Sequence, residues 1–408
     1  MNMKVITGGV NAAKGFKAAG IFAGLKKAKK DMALIYSESA CTVAGTFTTN
    51  NVKAAPVVYD QEIVKSGSLV RAVVVNSKNA NACTGEQGYK DCVETANELA
   101  SLLGVEPNEC LVASTGVIGV PLPMETIKKG ISILTKNLSS SEKSAQDAAD
   151  AICTTDTCRK EIAVEFSIDG KICHMGGIAK GAGMIHPNMA TTLSFITTDA
   201  KIEKGTLQKL LGATVEDTFN MISIDGDTST NDTCLVLANG EAGNEELTLQ
   251  SKDIGSFIKA LDYVLSYLAK ELVRDGEGAT RFMEVKIEGA RTKEDARLMA
   301  RAIVSSNLFK AALFGSDANW GRVLCAMGYS GATFDPNKVE LSFASDKGEI
   351  KVLEKGMPIK FSEKDAKDIL LEKSVSVIAR CNDGDASATA WGCDLTYDYV
   401  KINGDYRS

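Results

Sequence analysis

The chain has 408 residues, of which 44% are hydrophobic and 24% charged, and a formal net charge of -6. This is an ordinary composition for a soluble globular protein of one large domain or two. Acidic and basic residues are interspersed, so no basic block marks a nucleic-acid or anionic-membrane partner. No run approaches the ~20 apolar residues that span a bilayer, and residues 1–14 lack an apolar secretory core. A cytoplasmic protein with small-molecule partners is the expectation.

In chain order, a strand at 72–76 leads to an amphipathic helix carrying Tyr89, Cys92, Ala96, Leu99 and Leu103 on one face, then a strand at 110–114. The apolar spacing changes between two and three-to-four along this stretch, the signature of alternating strand and helix. Runs 161–168 and 171–175 flank Asp169-Gly170, a pair suited to a type I′ hairpin turn. Beyond residue 200 the pattern predicts helix 206–221, strand 233–237, helix 257–273, strand 283–287 and helix 293–305. Strands 323–327 and 339–343, helix 363–371 and strand 375–379 follow. No low-complexity linker or short repeat interrupts this alternation, so the class is mixed α and β without a sharp domain boundary.

The eleven cysteines stand singly, with no CxxC pair, which fits reduced, mostly buried thiols better than a disulfide framework or a zinc site. His174 and His186 are the only histidines, too few for a His-based metal site or a readily assembled Ser-His-Asp nucleophile. His174 reads as a structural or surface residue of a strand. His186 is open between a structural and a pocket-lining role.

The chemical division of the chain lies near residue 190, where a glycine-rich stretch, Gly176-Gly177-Ile178-Ala179-Lys180-Gly181-Ala182-Gly183-Met184, runs into Met189-Ala190-Thr191-Thr192-Leu193. By pattern alone this is a turn feeding a buried strand. It lacks P-loop spacing, and no GxGxxG opens a helix, so phosphate binding is disfavoured.

The segment Ala179 to Thr191 resembles the self-cleavage signature of the ornithine acetyltransferase (glutamate N-acetyltransferase) family. Similar blocks recur in the family's order along the whole chain. They include Gly8-Gly9-Val10, Asn79-Ala80-Asn81-Ala82-Cys83-Thr84-Gly85, Ala113-Ser114-Thr115-Gly116 and Thr154-Thr155-Asp156-Thr157. Later ones are Asp225-Gly226-Asp227-Thr228-Ser229-Thr230-Asn231-Asp232, Asn319-Trp320-Gly321-Arg322 and Gly384-Asp385-Ala386-Ser387 through Ser408.

The resemblance implies an α+β, layered αββα sandwich cut between Ala190 and Thr191 into an alpha chain of residues 1–190 and a beta chain of 191–408. Thr191 would be the nucleophile, using its freed α-amine as base, which agrees with the scarcity of histidine. Thr115 and Gly116 would stabilise the oxyanion; pattern alone would make them a strand-ending turn. Thr154, Lys180, Thr191, Glu277, Asn403 and Ser408 would contact substrate. Without the resemblance, Glu277 reads as a solvated loop carboxylate, and Asn403 and Ser408 as tail.

The implied reaction moves acetyl from N2-acetyl-L-ornithine to L-glutamate through an acetyl-Thr191 ping-pong intermediate, in arginine biosynthesis. No cofactor and no metal are implied, and the implied assembly is a heterotetramer of two alpha and two beta chains. Three other readings stand beside it. A bifunctional enzyme would also acetylate glutamate from acetyl-CoA; an N-terminal-nucleophile amidase or aminopeptidase would hydrolyse the acyl-enzyme; a self-cleaving binding protein would transfer nothing. Two positions depart from the family pattern: Thr192 stands where a larger apolar residue is expected, and His186 where a small or acidic one is.

Overall fold

The computed structural model describes residues 3–186 and 192–404. Before residue 187 come strands β1 (Lys4–Ile6), β2 (Phe16–Ile21), β3 (Met32–Phe47), β4 (Val70–Asn79), β5 (Cys110–Val117), β6 (Lys160–Ile168) and β7 (Lys171–Lys180). Helices α1 (Ala55–Ser66), α2 (Gly85–Leu103), α3 (Met124–Lys136) and α4 (Glu142–Ile152) interleave with them. After residue 191 come β8 (Leu193–Thr198), β9 (Ile222–Ser223), β10 (Thr233–Ala238), β11 (Phe282–Ala290), β12 (Glu340–Ser345) and β13 (Gly348–Glu354). The last strands are β14 (Met357–Pro358), β15 (Ser374–Arg380) and β16 (Ala386–Cys393). The helices of this half are α5 (Lys204–Asp217), α6 (Ile254–Arg274), α7 (Lys293–Ser305), α8 (Asn307–Phe314), α9 (Trp320–Gly328), α10 (Glu363–Leu370) and α11 (Tyr397–Asn403).

Two sheets result. The larger runs β1-β6-β7-β8-β10-β3-β4-β5, with β2 on β3, and the smaller β14-β13-β12-β15-β11-β16-β9. Strands β8/β10, β4/β5, β11/β15 and β16/β9 pair in parallel, and the other described pairings are antiparallel. Strands from both sides of residue 190 therefore share the larger sheet, with β8 hydrogen-bonded between β7 and β10.

Period-two alternation assigns the faces. Leu193 and Phe195 of β8 join a core built with α1 to α4, whereas Ile196 joins the other core, with α5 and α6. Because both faces are covered, all six residues of β8 are buried. Helix α6 buries Phe257, Leu261, Val264, Leu265, Leu268 and Leu272 among others, each contributing roughly 1.5–3 kcal/mol on burial. That same core continues into the second sheet through α7 and β11. The α+β layering of sheets and helices implied by the resemblance is what the chain adopts.

Local chemistry accounts for the ends of elements. Asp169 and Gly170 have φ of 49° and 72°, the doubly left-handed turn a type I′ hairpin requires, and the β6/β7 ladder closes on Ile168 and Lys171. Ser141 and Thr292 cap α4 and α7 by accepting from the amides of Ser144 and Asp295. One predicted strand is corrected: 323–327 lies inside helix α9, which Asn319 caps by accepting from the Arg322 amide. Val323, Ala326 and Met327 are its buried residues, an i, i+3, i+4 stripe that a short apolar run does not distinguish from a strand.

Candidate active site

Strand β7 ends at Lys180, which pairs with Leu193 at the start of β8, so the two flanks of positions 187–191 lie side by side. On the other side of β8, the Thr233 amide donates to the Thr192 carbonyl at 2.8 Å. The residues leading into β10 are tied to the end of β5, because Asn231 Nδ2 donates to the carbonyls of Ser114 and Ala80, both at 2.6 Å. Thr115 is thereby brought to the head of β8.

A cleft of about 130 Å³ opens there, lined by Thr115, Gly116, Thr154, Lys180, Glu277 and Asn403, together with Ile118, Met184 and Asn231. A hollow that shares Thr115 and Lys180 with it reaches Thr192, Leu193 and Asp232. All six described residues that the sequence analysis singled out line one space, although they come from β5, the turn after α4, the end of β7, the loop after α6, and α11. Ala190, Thr191 and Ser408 lie outside the described residues.

Within the cleft, Lys180 Nζ lies 3.3 Å from Thr115 Oγ1, and Asn403 Nδ2 donates to Glu277 Oε2 at 2.7 Å. Lys180 and Glu277 are each 9% exposed, so one basic and one acidic side chain meet the cleft from largely buried positions. Gly116, with φ 131°, sits where a Cβ would lie 2.0 Å from the Lys78 carbonyl oxygen. A side chain is excluded at that position by the neighbouring strand.

Beneath the cleft is a buried charge cluster that sequence reasoning missed. Lys160 Nζ, 0% exposed, lies 2.5 Å from Asp156 Oδ1 and also bonds Asp275. Asp156 further accepts from the amides of Gly181 at 2.7 Å and Thr154 at 2.9 Å, and Asp275 accepts from the Thr157 amide. Burial opposes ionisation of Asp156, but Lys180 and Lys160 together hold its carboxyl well below the usual range. Burial likewise works against the Lys160 ammonium, yet Asp156 and Asp275 raise its pKa. The cluster fixes the backbone beside Thr154, Lys180 and Glu277. Thr154-Thr155-Asp156-Thr157 stood in the sequence as a motif, but a lysine leading a strand reads as solvated, so its partner gave no signal. Asp232 was also missed. It is 2% exposed, its Oδ2 has no hydrogen-bond partner among the described residues, and burial, opposed by Lys180, pushes its pKa well up.

Neither histidine lines the cleft. His174 Nδ1 lies 2.8 Å from the buried Asp199 carboxylate, joining the ends of β7 and β8. His186 Nδ1 is shared with Ser223 and Ser305, and burial followed by Arg301 pushes its pKa down. The cysteines are all unpaired, and burial pushes the thiols of Cys41, Cys110, Cys153, Cys173 and Cys234 up to about 12. Among the described residues no group of three His, Cys, Asp or Glu side chains is placed to hold a metal ion. None of the described helices is long and apolar enough to cross a membrane.

The ArgJ family profile matches residues 17–408. The chain belongs to the ArgJ family. An "Arginine biosynthesis bifunctional protein ArgJ" from Caldanaerobacter subterraneus subsp. tengcongensis is 53% identical over 406 residues and covers 100% of both chains. A relative of the same name from Symbiobacterium thermophilum is 52% identical, again over 100% of both. A solved ornithine acetyltransferase complexed with ornithine, from Mycobacterium tuberculosis, is 39% identical; the match covers 46% of this chain and 100% of that one, with a TM-score of 0.43. The cleft described above is thus that of an ArgJ-family chain.

Proposed function

We propose that the chain is an acetyltransferase of arginine biosynthesis, moving the acetyl group of N2-acetyl-L-ornithine to L-glutamate and releasing L-ornithine and N-acetyl-L-glutamate. The observation that carries this reading is the convergence of Thr115, Gly116, Thr154, Lys180, Glu277 and Asn403 on one cleft at the head of β8, a strand that begins two residues after position 191. The names of the full-length relatives support the pathway.

The chain first cuts itself. The Thr191 hydroxyl oxygen bonds the Ala190 carbonyl carbon, the peptide C–N bond breaks, and the hydroxyl proton ends on the released amine; water then hydrolyses the ester. Chains 1–190 and 191–408 remain together because β7 and β8 are neighbours in one sheet. The new α-amine, with an ordinary pKa of about 7.7–8.0, is partly neutral at physiological pH and accepts the hydroxyl proton in catalysis.

Thr191 Oγ1 then attacks the acetyl carbonyl. Thr115 through its hydroxyl and Gly116 through its amide receive the oxyanion. Collapse breaks the C–N bond to ornithine, whose amine takes the proton held on the Thr191 amine. Glutamate enters with its α-amine neutral and reverses these steps from the acetyl ester. Lys180 meets a substrate carboxylate, and Glu277, held by Asn403, meets an ammonium; Thr154 and Ser408 complete the contacts. The active assembly is two copies of each chain in the cytoplasm, with no metal or cofactor.

Incubation with N-acetylornithine and glutamate should yield both products, and single turnover with N-acetylornithine alone should release ornithine stoichiometrically with the enzyme. Free acetate in place of acetylglutamate would instead identify a hydrolase. The word "bifunctional" in the relatives' names favours one second reading, in which acetyl-CoA also serves as donor. Replacing N-acetylornithine by acetyl-CoA in the same assay separates the two.

A further inference from the structure

The backbone of residues 184–186, just upstream of position 187, is held by a single stretch of chain. Met184 has φ 56°, a left-handed conformation disfavoured for a residue with a side chain. Its amide donates to Asp225 Oδ2 at 2.6 Å, and the Ile185 amide donates to Asp225 Oδ1 at 2.8 Å. The carbonyl of Ile185 accepts from the Ile224 amide at 2.7 Å, and that of His186 accepts from Thr228 Oγ1 at 2.8 Å. Downstream, the Thr192 carbonyl accepts from Thr233. Both flanks of the segment are therefore fastened to residues 224–233, which Asn231 ties in turn to β5. Asp225 does not line the cleft, so substrate contact does not account for it. The carboxylate also accepts from the Asp227 amide at 3.4 Å and from the Tyr399 hydroxyl at 3.3 Å.

We propose that the Asp225 carboxylate is a positioning residue for self-cleavage, fixing the Met184 and Ile185 amides so that the chain enters the Ala190–Thr191 bond in a reactive geometry. The inference rests on the cleavage reading given above. An acyl shift needs its oxygen about 3–3.5 Å from the carbonyl carbon, and about 1 Å of misplacement can cost on the order of 10²-fold. A carboxylate suits the task because both its oxygens accept; an amide would turn an N–H toward either the Met184 amide or those of Ile185 and Asp227. Asp225 exchanges no proton in the step.

The test compares Asp225→Asn with Asp227→Asn, the same charge change at an exposed neighbour. Conversion of the 408-residue chain into two fragments is followed by intact mass after synthesis in vitro. Asp225→Asn should convert at least about tenfold more slowly than wild type, and Asp227→Asn within about twofold of it. In the uncut Thr191→Ala background, adding Asp225→Asn should speed hydrogen exchange at the Met184 and Ile185 amides and leave the core strands protected. Conversion of Asp225→Asn at the wild-type rate would overturn the proposal and leave the cleavage reading standing. Slow conversion with exchange accelerated throughout the chain would also overturn it, as a folding defect. A wild-type chain that never converts would remove the cleavage reading itself, and the positioning role with it.

Discussion

Replacing Lys160 by methionine would test whether the buried cluster is what holds the cleft. The substitution keeps the aliphatic volume and removes one ammonium, leaving Asp156 at 0% and Asp275 at 4% side-chain exposure without their shared counter-ion. Breaking a buried ion pair by deleting one partner costs about 3–5 kcal/mol. The lower end is expected, because Asp156 keeps the Gly181 and Thr154 amides and Asp275 keeps the Thr157 amide. The pH dependence follows from the two shifts. The folded-state pKa of Asp156 is depressed, so its contribution is present above the unfolded value of about 3.9 and is lost as pH falls through the folded value. That of Lys160 is raised, so its contribution is complete below about 10.4 and is lost only as pH rises through the folded value. In Lys160→Met the Asp156 carboxyl, left with Lys180 and the two amides, takes up a proton more readily than in wild type. The deficit against wild type, measured by urea unfolding, should therefore be greatest near pH 7 and shrink toward pH 4–5, while KM for both substrates rises. A deficit below about 1 kcal/mol at pH 7, or one that does not shrink in acid, would refute the assignment.

Three further outcomes follow from the cleft. Lys180→Ala and Glu277→Ala should each raise KM more than they lower thermal stability; unchanged steady-state kinetics for both would remove their substrate roles. Thr115→Ala should lower turnover by about 10²–10³-fold, the usual effect of losing one oxyanion donor, and pre-steady-state acetylation should slow by the same factor. Gly116→Ala should fail to accumulate as folded protein, because the new Cβ would sit 2.0 Å from the Lys78 carbonyl oxygen; a folded, active variant would contradict the strand approach described here.

Local chemistry was legible in the sequence where one rule dominated. The Asp169-Gly170 hairpin and the long amphipathic faces of α2 and α6 follow from turn preference and apolar period. The 323–327 run did not, since five apolar-rich residues fit either element until the Asn319 cap is seen. The pairing of Lys160 with Asp156 and Asp275, 115 positions apart for the second pair, has no periodic trace. Its burial depends on how α4, β6 and α6 meet. The gathering of Thr115, Thr154, Lys180, Glu277 and Asn403 was available only through resemblance, because Thr154, Glu277 and Asn403 lie outside the strands, in the turn after α4, the loop after α6 and α11, and no local pattern shows that those segments meet.

If one threonine both cuts the chain and carries the acetyl group, intact-mass spectrometry of the purified protein will show both events. Wild type should give two chains that meet between Ala190 and Thr191, with one added acetyl on the second chain after brief exposure to N-acetylornithine. Thr191→Ala should give a single inactive chain of 408 residues, and Thr191→Ser, which keeps the oxygen but loses the β-branch that restricts its rotamer, should still cut and retain some transfer. An uncut wild-type protein with full acetyl transfer would contradict the mechanism.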